Sequence, residues 1–286
     1  MKRSEFRFVE PLRVRWSEVD MQKVVFNGHY LAYVDTAMGG FWRALALPYE
    51  DTLAALGGDL FVRKATLEYL APALYDDELH VGIRFDAAST SSLRFAAGVF
   101  RGEELLVHGE MVYVWTDAGT RRPQPAPSAL LDAFHAHAAG EAMVGVEVGA
   151  WNALGVEAQA IRTAVFVEEQ KVPLALERDA ADATATHALA RNRLGLAVGT
   201  GRLLAGEGGH VARIGRMAVS RAARGAHVGR ALLDALMAEA GRRGEPEVML
   251  HAQASAIGFY RRAGFAEHGD RFVEAGIVHV EMRRRP

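Results

Sequence analysis

A proline-rich segment near the middle of the chain constrains the fold more than any other feature of the sequence. Residues 116–127, TDAGTRRPQPAP, contain three prolines and no periodic apolar pattern, so they form neither a helix nor an inner strand. The residues that follow, SALLDAFHAHAAG, predict a short helix that ends near Gly140. Because 286 residues exceed the length of one ordinary domain, we expect two domains, residues 1–140 and residues 141–286.

Composition narrows the class of protein. Half of the residues are apolar and 24% are charged, as in ordinary globular domains. The sequence has no run of about 18 apolar residues, and MKRSEFRFVEPLRVRW lacks the apolar core of a secretory signal. The absence of cysteine excludes disulfides, thiolate metal sites and a cysteine nucleophile, and the histidines do not have metal-ligand spacing. From the lack of cysteine and of a secretory signal we expect a cytoplasmic protein, and from the histidine spacing we expect no metal site. Because the net charge is only −2, we expect no nucleic-acid partner and no membrane partner.

The first half predicts one long helix surrounded by strands. The helix runs from Asn27, a candidate N-cap, to just before Pro48, and its apolar side chains recur at helical spacing: Leu31, Val34, Met38, Phe41, Trp42 and Leu45. Five strand-like stretches cover residues 6–16, 60–70, 78–86, 93–100 and 106–115. The last two are joined by a turn at residues 101–104. This order predicts an α+β domain in which an antiparallel sheet wraps round one long helix.

The second half predicts a mixed α/β domain with helices flanking the sheet. It begins with a helix over residues 154–169, and strands are expected at residues 186–194, 195–204, 211–219, 248–252 and 277–282. A second amphipathic helix follows the third of these strands, with a buried face of Val228, Leu232, Leu233, Leu236, Met237 and Ala240. A further helix is expected over residues 254–263.

Asp20 is the first candidate catalytic residue, because it precedes the start of the long helix. Thioester hydrolysis needs a carboxylate that activates water or attacks the carbonyl carbon. It also needs donors for the developing oxyanion, which the unpaired N–H groups of a helix start can supply. The alternative from the local pattern alone is that Asp20 caps a turn.

The segment of residues 14–30 resembles the active-site segment of hot-dog-fold acyl-CoA thioesterases of the hydroxybenzoyl-CoA thioesterase and YbgC-like type. Asp20 matches the catalytic aspartate of that family, and the oxyanion and substrate positions match Val24, Val25, Asn27 and Tyr30. The resemblance extends over about residues 6–138 and implies a homo-oligomer, a dimer or tetramer, built through this domain. The family usually has glycine where this chain has Gln22 or Lys23. The alternative that this domain is a dimerising or acyl-CoA-binding scaffold therefore stays open.

The second candidate site is a strand–turn–helix unit at residues 214–233. Small residues at Gly225, Ala226 and Gly229 let a ligand approach the main chain, and the helix start offers N–H donors to an anion. Arginines cluster around it, at positions 213, 216, 221, 224 and 230. They form either a solvated face or a seat for a polyphosphate.

This unit is similar to the CoA-binding turn of GNAT N-acetyltransferases of the ElaA-like type. The resemblance covers about residues 145–284, and it departs from the general pattern at His227, where glycine is usual. It implies that the CoA-binding residues are Met217, Ala218, Val219, Arg224, Gly225, Ala226, His227, Val228, Gly229 and Arg230. It also implies that Tyr260 protonates the leaving thiolate, with Glu168 and His279 as candidate contacts for the amine.

Together, the two resemblances imply a bifunctional enzyme that uses acyl-CoA or acetyl-CoA as substrate. The first domain would hydrolyse the thioester, and the second would transfer the acyl group to an amine. In one alternative only the GNAT domain is catalytic. In another the chain is an acyl-CoA-binding sensor, against which the presence of both Asp20 and Tyr260 counts.

Overall fold

The computed structural model describes residues 1–206 and 211–286. These residues form two compact units, Met1–Met143 and Val144–Pro286. No helix in the described part of the chain is long and apolar enough to cross a membrane.

The first unit is a five-stranded antiparallel sheet with one long helix against it. The strands are β1 (Phe8–Arg13), β2 (Gly58–Tyr69), β3 (Glu78–Ala88), β4 (Ser92–Arg101) and β5 (Glu104–Asp117), in the order β1-β3-β4-β5-β2. The helices are α1 (Asn27–Ala44), α2 (Tyr49–Leu56) and α3 (Ser128–Ala139). Helix α1 packs on β1, β3 and β4, so the prediction of a sheet wrapped round one helix is confirmed.

The core of this unit centres on Phe41 of α1, whose ring lies 5.9 Å from that of Phe95 and 6.0 Å from that of Phe134. Two details of the predicted helix are wrong. The N-cap is Phe26, without a side-chain hydrogen bond, and Asn27 is already helical. Leu31 is 40% exposed instead of buried, because the buried stripe of α1 starts at Tyr30 and passes beside it.

The turn predicted between β4 and β5 is confirmed. Arg101 pairs with Glu104, which leaves a two-residue loop, and Gly102 in that loop has a φ of 59°. A positive φ is easily adopted by glycine, so the loop sequence suits a tight hairpin. Helix α2 was not predicted, because it is short and buries only Thr52 and Leu53.

The second unit is a mixed sheet with flanking helices, as predicted, although it has seven strands where five were expected. The strands are β6 (Val144–Ala150), β7 (Thr186–Asn192), β8 (Ala197–Leu204), β9 (Ala212–Val219), β10 (Val248–Gln253), β11 (Ala266–Glu274) and β12 (Ile277–Arg284), in the order β11-β12-β10-β9-β8-β7-β6. The helices are α4 (Trp151–Arg162), α5 (Leu174–Glu177), α6 (Val228–Arg242) and α7 (Ile257–Arg262). Helix α4 continues as a π-helix over Thr163–Glu169, and the predicted buried face of α6 is buried.

The sheet of the second unit opens between β9 and β10. These two strands are parallel and pair only at Ala212 with Val248 and at Arg213 with Met249. Beyond these positions, β10 is paired on its other side with β12. One edge of β9 over residues 214–219 is therefore without a strand partner on the β10 side, and the cavity described below lies along it.

Candidate active sites

Asp20 lies in a tight turn directly ahead of α1. The amide of Asp20 donates to the carbonyl of Val24 at 2.9 Å, and the amide of Lys23 donates to the carbonyl of Asp20 at 2.9 Å. One carboxylate oxygen of Asp20 accepts the amide of Gln22 at 2.8 Å. Val25 is 4% exposed and donates its amide to the chain after β2. These bonds close a tight turn around Asp20, whose half-buried carboxylate caps the amide of Gln22.

Lys23 has a φ of 62°, the left-handed conformation that glycine adopts most easily. The resembling family usually has glycine where this chain has Gln22 or Lys23, and Lys23 adopts this conformation with a side chain. The lysine side chain is exposed, so it does not fill the space beside Asp20 in the interior.

The first turn of α1, which begins seven residues after Asp20, offers unpaired amide groups. The amide of Phe26 is used by the carbonyl of Glu18 at 2.9 Å, and that of His29 by the carbonyl of Phe26 at 2.9 Å. Among the described residues, the amides of Asn27 and Gly28 have no main-chain acceptor, as at any helix start. Such donors can polarise a thioester oxygen.

Two tyrosines fix this helix start. Tyr30 is 2% exposed, and its hydroxyl accepts the amide of Ala73 at 2.8 Å. Burial raises the pKa of Tyr30. The hydroxyl of Tyr69, at the end of β2, donates to the carbonyl of Asn27 at 3.1 Å. Tyr30 and Tyr69 therefore tie the start of α1 to β2 and to the chain that follows it.

Glu18 is a buried carboxylate that the sequence prediction missed. It is 2% exposed and accepts hydrogen bonds from the amide of Arg15 and from the hydroxyl of Tyr33, both at 2.7 Å. Burial alone would raise the pKa of Glu18, but these hydrogen bonds and the Arg15 charge outweigh it and lower the pKa. Glu18 thereby ties the chain before Asp20 to the middle of α1.

In the second unit, the turn before α6 has the geometry of an anion site. Gly225 and His227 have φ values of 92° and 59°, and His227 is the N-cap of α6 without a side-chain hydrogen bond. The first main-chain bond to the helix start runs from Ala231 to His227 at 3.0 Å. The three amides before Ala231 therefore have no acceptor within the helix; they belong to Val228, Gly229 and Arg230.

The side chain of Arg224 stabilises this turn through its hydrogen bonds. Its guanidinium makes two bonds of 2.7 Å to the carboxylate of Glu169 and one of 3.1 Å to the carbonyl of Val219. The hydrogen bonds lower the pKa of Glu169. Arg224 thus joins the end of the π-helix to the end of β9. The side chain of Arg230 instead pairs with Asp234 on the exposed face of α6.

A cavity of about 380 Å³ lies along the open edge of β9. Met217 and Tyr260 line it, whereas Ala218 is 2% exposed and packs in the core against α4. Tyr260 is 8% exposed, and burial raises its pKa to about 12. Its hydroxyl has no hydrogen-bond partner among the described residues, and with this pKa the phenol is protonated at neutral pH, as an ordinary tyrosine is.

The cavity wall contains two histidines and a glutamate. His279 contacts the carbonyl of Ile277 through Nδ1 at 2.8 Å, so a neutral His279 carries its lone pair on Nε2. His251 and Glu274, which the sequence prediction missed, lie 3.1 Å apart between Nδ1 and Oε2. Burial would raise the pKa of Glu274, but His251 and the nearby Arg213 outweigh it and lower the pKa.

The other predicted amine contact lies elsewhere. Glu168 is exposed on the π-helix and is not in the cavity lining. Gln170 at the end of this π-helix does line the cavity, and its side chain accepts a hydrogen bond from Gln253 of β10 at 2.9 Å.

A buried ion network forms one side of the cavity. Arg162 pairs with Glu177, and with Asp182 at 2.8 Å. Arg202 lies 2.7 Å from Asp182 and 2.6 Å from Asp179. These charges hold α4, α5 and β8 together. Within residues 1–206 and 211–286, no three His, Asp or Glu side chains are grouped to hold a metal ion.

Comparison with known families matches each unit separately. Residues 14–134 match the model described as "Thioesterase-like superfamily". Residues 147–286 match the model described as "Acetyltransferase (GNAT) domain".

Individual relatives follow the same division. The chain is 34% identical over 128 residues to a Bacillus subtilis (strain 168) protein named "Putative acetyltransferase", covering 44% of this chain and 85% of the relative. It is 30% identical over 94 residues to an Aquifex aeolicus (strain VF5) protein named "Putative esterase", covering 33% and 73%. It is 28% identical over 125 residues to the acyl-CoA thioester hydrolase YbgC of Escherichia coli O157:H7, covering 43% and 92%.

Proposed function

The chain belongs to the thioesterase-like superfamily through residues 14–134 and to the GNAT acetyltransferases through residues 147–286, and on this basis we propose two reactions. The protein is a two-domain enzyme that uses acyl-CoA. The first unit hydrolyses an acyl-CoA thioester at Asp20, and the second transfers an acetyl or other acyl group from CoA to an amine at Tyr260. The observation that supports this most is the cavity that brings Tyr260, Met217 and His279 together at the opening of the sheet.

In the hydrolysis, the carboxylate of Asp20 takes a proton from water as the water oxygen bonds to the thioester carbon. The amides of Asn27 and Gly28 stabilise the oxyanion. The carbon–sulfur bond then breaks, and the CoA thiolate receives the proton from Asp20. Direct attack by the carboxylate on the carbonyl carbon is the alternative route through the same residues.

In the transfer, the amine nitrogen bonds to the thioester carbon and the carbon–sulfur bond breaks. The phenol of Tyr260 donates its proton to the leaving sulfur, and Nε2 of His279 accepts the proton that the amine loses. The main chain at Met217 and Val219 pairs with the pantetheine arm. The amides of Val228, Gly229 and Arg230 hold the pyrophosphate, a role supported by their lack of intrahelical partners.

The first unit also supports a homo-oligomer, a dimer or a tetramer. Strand β2 is at the edge of its sheet, and Phe61, Val62 and Tyr69 on it are 42–51% exposed. Trp16 and Met21, on either side of Asp20 in sequence, are 74% and 101% exposed. Large apolar side chains around an unpaired edge favour association with another copy. We place the enzyme in the cytoplasm, with acyl-CoA and an amine as its small-molecule partners.

One observation favours a scaffold role for the first unit. Lys23 stands in the turn segment where the resembling family usually has glycine, and its φ of 62° costs a non-glycine residue about 1 kcal/mol. Thiol release from a panel of acyl-CoAs, first without and then with a pool of amines, separates the two possibilities. Release without amine supports the thioesterase, and release only with amine leaves the second unit as the sole catalyst.

A further inference from the structure

Three arginines line the cavity of the second unit, and one of them lacks a carboxylate partner. Arg202 is 2.6 Å from a carboxylate oxygen of Asp179, and Arg216 is 2.9 Å from the other oxygen. Arg213 makes no salt bridge with any residue of the described chain. It donates instead to Nδ1 of His251 at 2.9 Å. Arg213 is therefore a cavity cation that lies near Glu274 without a direct ion pair, and its guanidinium can still hydrogen-bond a ligand anion.

The position of Arg213 excludes the CoA pyrophosphate as this ligand. Arg213 is the second residue of β9, whereas the phosphate-binding turn follows the last residue of that strand, Val219. At about 3.3 Å per residue, the strand separates the two by about 20 Å. Arg213 thus lies toward the β11–β12 side of the cavity, near Glu274 and His279.

An anion and a cation site lie side by side there. Nη2 of Arg213 and Oε2 of Glu274 are 2.9 Å and 3.1 Å from the same nitrogen of His251. They are therefore at most about 6 Å apart. In an α-amino acid the amine nitrogen and the carboxylate carbon are about 2.5 Å apart, from the standard bond lengths. One small molecule can therefore bind Glu274 through its ammonium group and Arg213 through its carboxylate.

The contacts of His251 also support the binding of a ligand carboxylate at Arg213. A single Nδ1 can accept from Arg213 or donate to Glu274, but it cannot do both. One of the two contacts is thus unsatisfied without a ligand. A ligand carboxylate that engages Arg213 would free Nδ1 to donate to Glu274.

We propose, resting on the transferase function proposed above, that the acceptor is a small amine with a carboxylate close to its nitrogen, an amino acid or a molecule like one. Arg213 binds its carboxylate and Glu274 its ammonium group. The ammonium group first passes one proton to the Glu274 carboxylate. The neutral nitrogen then bonds to the acyl carbon and gives a second proton to Nε2 of His279, while the carbon–sulfur bond breaks and Tyr260 protonates the leaving sulfur.

The test is acetyl transfer from acetyl-CoA to the standard amino acids, each beside its carboxamide. We expect at least one amino acid to exceed its carboxamide about tenfold or more in kcat/KM. Arg213→Gln should lower kcat/KM for that amino acid about 10- to 100-fold, mainly through KM, because a charge-assisted hydrogen bond is lost. The carboxamide should lose much less, because it has no carboxylate for Arg213 to bind, and Arg213→Lys should restore part of the loss for the amino acid. Arg271→Gln, an exposed arginine on β11 outside the cavity lining, is the matched control.

The outcomes separate this inference from the function on which it rests. Three outcomes overturn the inference. Carboxamides are acetylated as fast as amino acids, or Arg213→Gln lowers kcat/KM equally for both. In the third, no amino acid is acetylated although calorimetry shows that acetyl-CoA binds. Absence of both acetyl-CoA binding and any acetylated amine overturns the transferase function itself.

Discussion

Replacing Gly229 with alanine should stabilise the protein and at the same time weaken CoA binding. A Cβ at position 229 would lie 3.6 Å from Phe259 and 3.7 Å from Val219, which are ordinary contacts, so the protein has room for it. Alanine is favoured over glycine in a helix by about 0.5–1 kcal/mol. In a domain of this size, that gain raises Tm by about 1–3 °C.

The affinity for CoA should change in the opposite direction from the stability and become weaker in Gly229→Ala. If the CoA pyrophosphate rests on the amides of Val228, Gly229 and Arg230, a methyl group at position 229 holds it away from the main chain. Loss of one charge-assisted hydrogen bond weakens binding about tenfold or more. The matched control is Gly241→Ala in the same helix, where the Cβ would meet Pro286 at 3.5 Å. This control should raise Tm without changing affinity.

Calorimetric titration with acetyl-CoA and a thermal melt of each variant provide the assay. A Gly229→Ala protein that melts higher and binds acetyl-CoA as tightly as the wild type would refute the placement of the pyrophosphate. A variant that melts lower would show instead that the glycine serves the packing of α6.

Three further predictions concern single residues. Lys23→Gly should raise the free energy of unfolding of the first unit by up to about 1 kcal/mol, measured in urea, because φ is 62° there; an unchanged value contradicts the strain. Glu18→Gln should cost about 1–3 kcal/mol at pH 7. Because folding lowers the pKa of Glu18, its stabilisation is complete above the unfolded pKa near 4.5 and is lost as pH falls through the folded pKa, so the cost should shrink on acidification. Tyr260→Phe should lower kcat for transfer about 10²- to 10⁴-fold, and with a pKa of about 12 the wild-type phenol should introduce no loss of rate between pH 6 and about 9.

Periodic features of the sequence predict much of this fold. The buried face of α6 and the hairpin between β4 and β5 depend on local spacing and turn chemistry, so sequence alone identifies them. Strands β6 and β11 were not predicted, because both are at sheet edges and have few buried side chains to set a period. The π-helix was predicted as ordinary helix, because both give nearly the same apolar pattern over seven residues.

The candidate sites were predictable only where one segment carries them. Asp20 and the turn before α6 each lie within one continuous motif. Arg213, His251 and Glu274 come from three strands and meet only through the sheet register, so no spacing in the sequence marks them. Glu18 was missed for a similar reason, because its partner Tyr33 lies fifteen residues away on α1.

Product analysis tests the two-reaction account most directly. Wild type, Asp20→Ala and Tyr260→Phe are each incubated with one acyl-CoA and one accepted amine, and the free acid and the N-acyl amine are quantified by mass spectrometry. The account predicts that Asp20→Ala abolishes the acid and keeps the N-acyl amine, while Tyr260→Phe does the reverse. Acid formation that survives in Asp20→Ala, or a loss of both products in either single variant, would contradict two separate active sites.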